Sequence, residues 1–365
     1  MSGLRNFLIN LVLLLWPISV FQGVVFDSNE SITLKMLIYI ASVVVILLSR
    51  IENKIALFLF SIVTLVPTII YREDILDLNY AILFIIPFVM CNVRLTTFKI
   101  MKYLPYYYAA IFLFLSLYVL FLPAVIYAGR GSIHLLLSGP HSSVYAVLIL
   151  FVALIYLWSR GAQRNSKNIL YFFWILAIIL TFGYQVRTAI LGVSVSFMWY
   201  QYYEFQFNRY IRQAVFWFLM ILTVLASMSL LSFESGEVNE FSSGRVMVLL
   251  ERVEMIARFG LREYMVGGGF GADILITDQW WWEAKASHND FVSLIFNGGF
   301  VLFLTVLFIL TRLMKSASNM QKAMLIFLII SSMLSTGLLF RPMYFLLFSM
   351  IFMLLGVDKR PKVNL

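Results

Sequence analysis

The chain has 365 residues, of which 62% are hydrophobic and only 12% charged, with a formal net charge of +9. So little polar surface excludes a soluble domain of this length, and continuous rather than alternating apolar runs exclude an outer-membrane β-barrel. The basic residues fall in short clusters between apolar runs, which is the pattern of membrane topology and not of a nucleic-acid partner.

The expected fold is an all-α polytopic integral membrane protein, one membrane domain over residues 1–365. Twelve transmembrane helices are predicted, at 7–26, 34–48, 55–71, 80–91, 104–128, 142–158, 169–183, 189–203, 214–231, 291–310, 323–340 and 343–356. The first run has no small-residue cleavage site followed by a soluble domain, so it reads as a span rather than a signal peptide. Asp77 argues against extending the fourth span far upstream. The lone cysteine, Cys91, cannot form an internal disulfide.

Alternate loops differ in charge. One set holds Arg50 and Lys54; Arg94, Lys99 and Lys102; Arg160, Arg164 and Lys167; Arg209 and Arg212; Arg312, Lys315 and Lys322; and Lys359, Arg360 and Lys362. By the positive-inside rule these are cytoplasmic, and so are both termini. The long loop at 233–290 is then outside, which in a bacterial inner membrane means the periplasm. Ten of the eighteen acidic residues lie in this loop or at its borders. A membrane chain that gathers its polar residues in one loop is expected to place its chemistry there.

Several residues of the outer face suit a reaction on an anionic substrate. Arg187 lies in Tyr184-Gln-Val-Arg-Thr-Ala189 at the mouth between two spans, where an arginine is costly unless paired or set against an anion. Arg245 opens an expected amphipathic helix, with Val246, Leu249, Leu250, Val253 and Ile256 on one side and Glu251, Arg252 and Arg258 on the others. Ser243 is its candidate N-cap, and the helix is expected to lie on the membrane surface. A cation at a helix start opposes the dipole, and an anionic ligand would relieve that conflict.

All three histidines, His134, His141 and His288, map to the outer face. His288 stands where the loop re-enters the membrane, and a neutral imidazole there could accept a hydroxyl proton near pH 7. Arg341 is another outer-face arginine. Gly267 to Gly271 follows no predicted strand, so it reads as a flexible turn rather than a nucleotide loop. Trp280 to Trp282 read first as an interfacial anchor and second as a platform for sugar rings. No phosphate-binding loop for ATP, no metal-ligand spacing and no Asp-x-Asp on an outer loop is present, so no cofactor and no metal is expected.

Taken in order, Gln185-Val-Arg187-Thr-Ala189, Ser242-Ser-Gly-Arg245, Gly267-Gly-Gly-Phe-Gly271, His288-Asn-Asp-Phe291 and Asn297-Gly-Gly299 resemble the signature of the O-antigen ligase and O-antigen polymerase superfamily. The resemblance covers residues 183–300. It implies a metal-independent membrane glycosyltransferase whose donor is a saccharide on undecaprenyl diphosphate. Arg187 and Arg245 would hold the diphosphate, His288 would act as general base, and Arg341, Asn289 and Tyr184 would contact substrate. The acceptor would be a second lipid-linked oligosaccharide. Membrane lipid, a flippase and a chain-length regulator are the partners implied.

Elementary chemistry supports the same assignment. Expelling a diphosphate from an anomeric carbon develops charge that fixed arginines stabilise without a metal. The diphosphate bond supplies the driving force, so no ATP site is needed. The expected function is therefore polysaccharide polymerase, for O-antigen or capsule. The alternatives are a ligase to lipid A-core, and a flippase or other transporter. The Glu that ligases often carry near Asn297 is missing here, which favours the polymerase. The long polar loop, and the lack of glycine-broken or charged spans, weigh against the transporter.

Overall fold

The computed structural model describes residues 54–72, 74–91, 103–121, 124–126, 132–134, 167–183, 187–204, 245–278 and 289–334, with scattered residues in 3–18, 37–47, 148–155 and 284–287. They are mostly helical, with one short ladder and the irregular segment at 267–278. The helices are α1 (Lys54–Tyr71), α2 (Ile75–Cys91), α3 (Leu104–Phe121), α4 (Lys167–Gly183), α5 (Arg187–Glu204), α6 (Arg245–Ala257), α7 (Leu261–Val266), α8 (Asp290–Ser316) and α9 (Asn319–Leu334). The scattered residues within 3–18, 37–47 and 148–155 are helical too.

Helix α8 is long and apolar enough to cross a membrane, and α1, α3, α4 and α9 contain shorter apolar stretches. α1 buries Leu57 and Phe60, yet it exposes Ile55, Phe58, Leu59, Val66, Ile69 and Ile70 on its other faces. A helix apolar all round suits lipid, since in water that second face would be an aggregation surface.

Two boundaries differ from the sequence expectation. α2 starts at Ile75 and includes Asp77, because the Asp77 carboxylate is ion-paired at 2.7 Å with Arg72 Nε in the turn between α1 and α2. A paired acid at a helix start is no barrier to the helix. The fifth run does not stay helical to residue 128. α3 stops at Phe121, and Ala124–Ile126 (β1) pairs antiparallel with Ser132–His134 (β2). Pro123 lies just past the helix end, and the position before a proline disfavours the helical region. Every other element among the described residues is an α-helix, as expected. The spans expected at 214–231 and 343–356 lie outside the described residues.

The core is aromatic and aliphatic. Phe60, Phe84 and Phe88 pack edge to face or tilted, with Phe84 also 5.4 Å from Phe270 of the long loop. A second cluster joins Phe112, Phe151 and Trp174. α5 and α9 pack closely, because a Cβ on Gly192 would stand only 3.0 Å from the Phe327 ring. Small residues at such a crossing let two helix backbones approach without polar glue.

Candidate functional site

The site region is built around the first half of α8. Asn289, in extended conformation, caps the helix: its Oδ1 accepts from the Phe291 and Val292 amides at 3.0 and 3.2 Å. This satisfies two of the donors that a helix start leaves open. Asn289 Nδ2 donates at 3.1 Å to the carbonyl of Met333, near the end of α9. The side chain expected to contact substrate therefore ties the loop to α8 and α9.

Ten residues on, the helix breaks at a glycine, which corrects the expectation of no glycine-broken span. Gly299 adopts φ 64°, a conformation that side chains rarely tolerate. Here the glycine loop docks. The Gly268 amide donates to the Phe296 carbonyl at 2.8 Å, and the Gly269 amide to the Asn297 carbonyl at 2.9 Å. Gly269 also lies against α1, where a Cβ would come within 2.8 Å of the Thr68 backbone. Phe270 is buried against Phe84, and its amide donates to Thr68 Oγ1 at 3.0 Å. The expectation of a flexible turn is corrected. Gly267 to Gly271 is a keyed segment wedged between the C-terminal end of α1 and the kink of α8, where backbone meets backbone.

The polar side expected for Arg252 is also corrected. α6 buries Val248, Arg252 and Ile256, while Leu250 and Val253 of the expected apolar side are exposed. Arg252 turns inward because the segment after the glycine loop satisfies it. Asp273 Oδ1 lies 3.7 Å from Arg252 Nε, both side chains fully buried, and the Leu275 carbonyl accepts from Arg252 Nη2 at 3.2 Å. The guanidinium also sits 5.5 Å from the centre of the Phe296 ring.

Asp273 is the hub. Its Oδ2 accepts from the Ser287 amide at 2.9 Å and from the Ser293 hydroxyl. Ser287 Oγ donates in turn to the Asn289 carbonyl at 2.8 Å. Burial pushes the Asp273 carboxyl up to about 6, against the opposing pull of the Ser287 and Ser293 hydrogen bonds and the Arg252 charge. Burial likewise lowers Arg252 from its ordinary value, while Asp273 and Glu251 raise it. Sequence reasoning missed this pair. The available signal was the four-residue spacing of Val248, Arg252 and Ile256, which marks one helical face.

Of the expected site residues, the structure describes some in backbone only. Arg187 is the first residue of α5 and Arg245 the first of α6. α5 runs antiparallel to α9: Gly192 meets Phe327 and Ser331, whereas Ser196, further along, lines a crevice with Ala323 and Met324. The start of α5 thus lies toward the same end as Met333, which Asn289 bonds. His134 ends β2. His288, Arg341, Tyr184, His141, Ser243 and Trp280 to Trp282 lie outside the described residues. Ser287 and Asn289 are held by hydrogen bonds to Asp273, Ser293, α8 and α9.

Comparison with protein-family models gives no match to this chain, and comparison with curated proteins gives none either.

Proposed function

We propose that this chain is a polysaccharide polymerase of the O-antigen polymerase and ligase type, extending a glycan carried on undecaprenyl diphosphate at the periplasmic face of a bacterial inner membrane. The acceptor hydroxyl of a lipid-linked repeat unit attacks the anomeric carbon of the donor glycan. The new glycosidic C–O bond forms as the bond to the diphosphate oxygen breaks. His288 takes the hydroxyl proton, and Arg187 and Arg245 stabilise the charge left on the departing diphosphate. Arg341 and Tyr184 bind substrate. Asn289 caps α8 and keeps one amide hydrogen for a sugar hydroxyl.

The observation that carries the reading is the convergence of the motif pieces. Gly267 to Gly271, Asn289-Asp290 and Asn297 to Gly299 form one hydrogen-bonded block at the start of α8, and the helix opened by Arg187 begins toward the same end. Pieces scattered through sequence that meet in one place suit a shared site better than separate structural roles.

In the proposed topology there are twelve spans, both termini are cytoplasmic and the loop at 233–290 is outside. The ends of α8 support it. The glycine loop and Asn289 gather at one end, and Arg312 and Lys315 lie near the other.

The test is reconstitution. Full-length protein in lipid nanodiscs, given a polyprenyl-diphosphate-linked oligosaccharide repeat in the presence of EDTA, should produce longer lipid-linked glycans. No extension in EDTA, restored by Mg²⁺ or Mn²⁺, would overturn the arginine-based mechanism. Transfer only to a lipid A-core acceptor would make the protein a ligase.

A further inference from the structure

Helix α7 turns its largest apolar side chain away from the protein. Leu261 is 83% exposed, and Met265, one turn on, is exposed too. On its other side the helix is firmly seated. The Tyr264 ring stacks on Phe300 of α8, with 5.1 Å between centres and 4° between planes, and Phe259 packs edge-on against Phe296. A Cβ on Gly299 would overlap the Met265 backbone, so α7 lies directly across the kink of α8. The packing therefore fixes which way Leu261 and Met265 face.

What lies opposite that face follows from α1. This helix has 18 residues, so it is about 27 Å long, close to the thickness of a bilayer's hydrocarbon core. Lys54 opens it, and Arg72 follows its last residue, Tyr71. Val66, Ile69 and Ile70 are exposed near that end and suit lipid, and Tyr71 marks their border with the headgroups. Arg262 of α7 stands on this border, because its guanidinium lies 4.7 Å from the centre of the Tyr71 ring. At this level an exposed leucine meets acyl chain and an exposed cation meets phosphate. The charge of Arg262 is little used within the protein. Its contact with Glu263 is 3.9 Å long and exposed, and such pairs contribute little. Glu263 is engaged in closing the start of α7, where its Oε2 accepts from the Gly260 amide at 2.8 Å.

We propose that α7 is an interfacial seat for anionic phospholipid, with Leu261 and Met265 among the acyl chains and Arg262, held over Tyr71, on the headgroup phosphate. A zwitterionic lipid offers the same phosphate, but its own ammonium competes for it, so a lipid of net negative charge is preferred. The seat rests on α1 and α8 crossing a bilayer and is independent of the glycan-transfer reading. The glycine loop follows α7 directly, so the seat holds that loop at the membrane border.

The experiment uses full-length protein in phosphatidylcholine nanodiscs doped with a lipid that carries a photoactivatable group high on one acyl chain. The probe is phosphatidylglycerol in one arm and phosphatidylcholine in the other. Cross-linked peptides are mapped by mass spectrometry, with Val66 to Ile70 of α1 as the lipid-facing reference. The segment Leu261–Val266 should be labelled by both probes, and more strongly by phosphatidylglycerol. Arg262→Gln should lower its phosphatidylglycerol labelling about fivefold, the worth of one basic residue near an anionic surface, while phosphatidylcholine labelling and the α1 reference hold. Arg258→Gln removes another exposed arginine, one that pairs with Glu254, and should change neither. An unlabelled Leu261–Val266 segment would overturn the seat, whatever α1 shows. Labelling no stronger with phosphatidylglycerol than with phosphatidylcholine, or unaffected by Arg262→Gln, would overturn the phosphate contact. An equal loss in Arg258→Gln would reduce that contact to diffuse attraction and overturn it as well.

Discussion

The Gly269 amide donates to the Asn297 carbonyl at 2.9 Å, joining the glycine loop to the kink of α8. The approach is possible because Gly299 leaves helical geometry and the glycines that meet, Gly267 against Gly298 and Gly299, carry no Cβ. Gly269 itself has φ 83°, and a Cβ there would meet the backbone of α1. Gly269→Ala should therefore destabilise the protein by at least about 1–3 kcal/mol from backbone strain alone. Thermal unfolding of purified protein in detergent would show a clear fall in midpoint. Gly260→Ala is the control, since its added Cβ would have only Glu263 Oε2 nearby, at 3.6 Å, and its midpoint should hold. A stable Gly269→Ala protein would mean that the loop is not keyed to α1 and α8.

How much of this was legible in sequence depended on where the partners sit. α1 and α4 match their expected spans within two residues, because continuous apolar runs end at charges. The start of α2 was hidden, since the charge of Asp77 reads as a stop until its partner Arg72 is seen. The glycine loop gave a local signal of conformational freedom only. The contacts that make it rigid come from Thr68 and Asn297, and no local pattern announces them. Arg252 was read as a solvated face because side-chain type is a poor guide where a buried acid waits in a neighbouring segment. The roles proposed for His288 and Arg187 rest on motif and not on geometry.

Asp273 also sets a pH dependence of stability. Its carboxyl is raised from 3.8 to about 6 by burial, so the folded state binds this proton more tightly than the unfolded chain. The stability it contributes is fully present below pH 3.8 and is lost as pH rises through about 6. Asp273→Asn removes this component. The unfolding midpoint of wild type, measured against that of Asp273→Asn from pH 4 to pH 8, should decline with rising pH and level off above about pH 7. A difference that is flat across this range, or that grows with pH, would contradict the assignment.

The two arginines should matter as forks and not only as charges. Arg187→Lys keeps the charge and loses bidentate bonding to phosphate oxygens. A fall of about 10²–10³ in extension rate is expected, typical of losing one donor to a developing anion. Arg245→Ala should fall at least as far, whereas Arg258→Ala, an exposed residue paired among the described residues with Glu254 at 3.9 Å, should leave the rate unchanged. Normal rates in both Arg187→Ala and Arg245→Ala, at normal protein level, would reduce these residues to topology signals.

The most direct measurement is the surface glycan profile of cells whose only copy of the protein is His288→Ala, at matched protein level. Loss of a general base costs about 10²–10⁴ in rate, enough to erase long chains. The account predicts that core lipid carries single repeat units and no ladder, while His134→Ala and His141→Ala cells keep theirs. Loss of all capping, with lipid-linked polymer accumulating, would identify a ligase instead. A full-length ladder in the His288→Ala cells would contradict the central claim that this histidine drives glycan transfer.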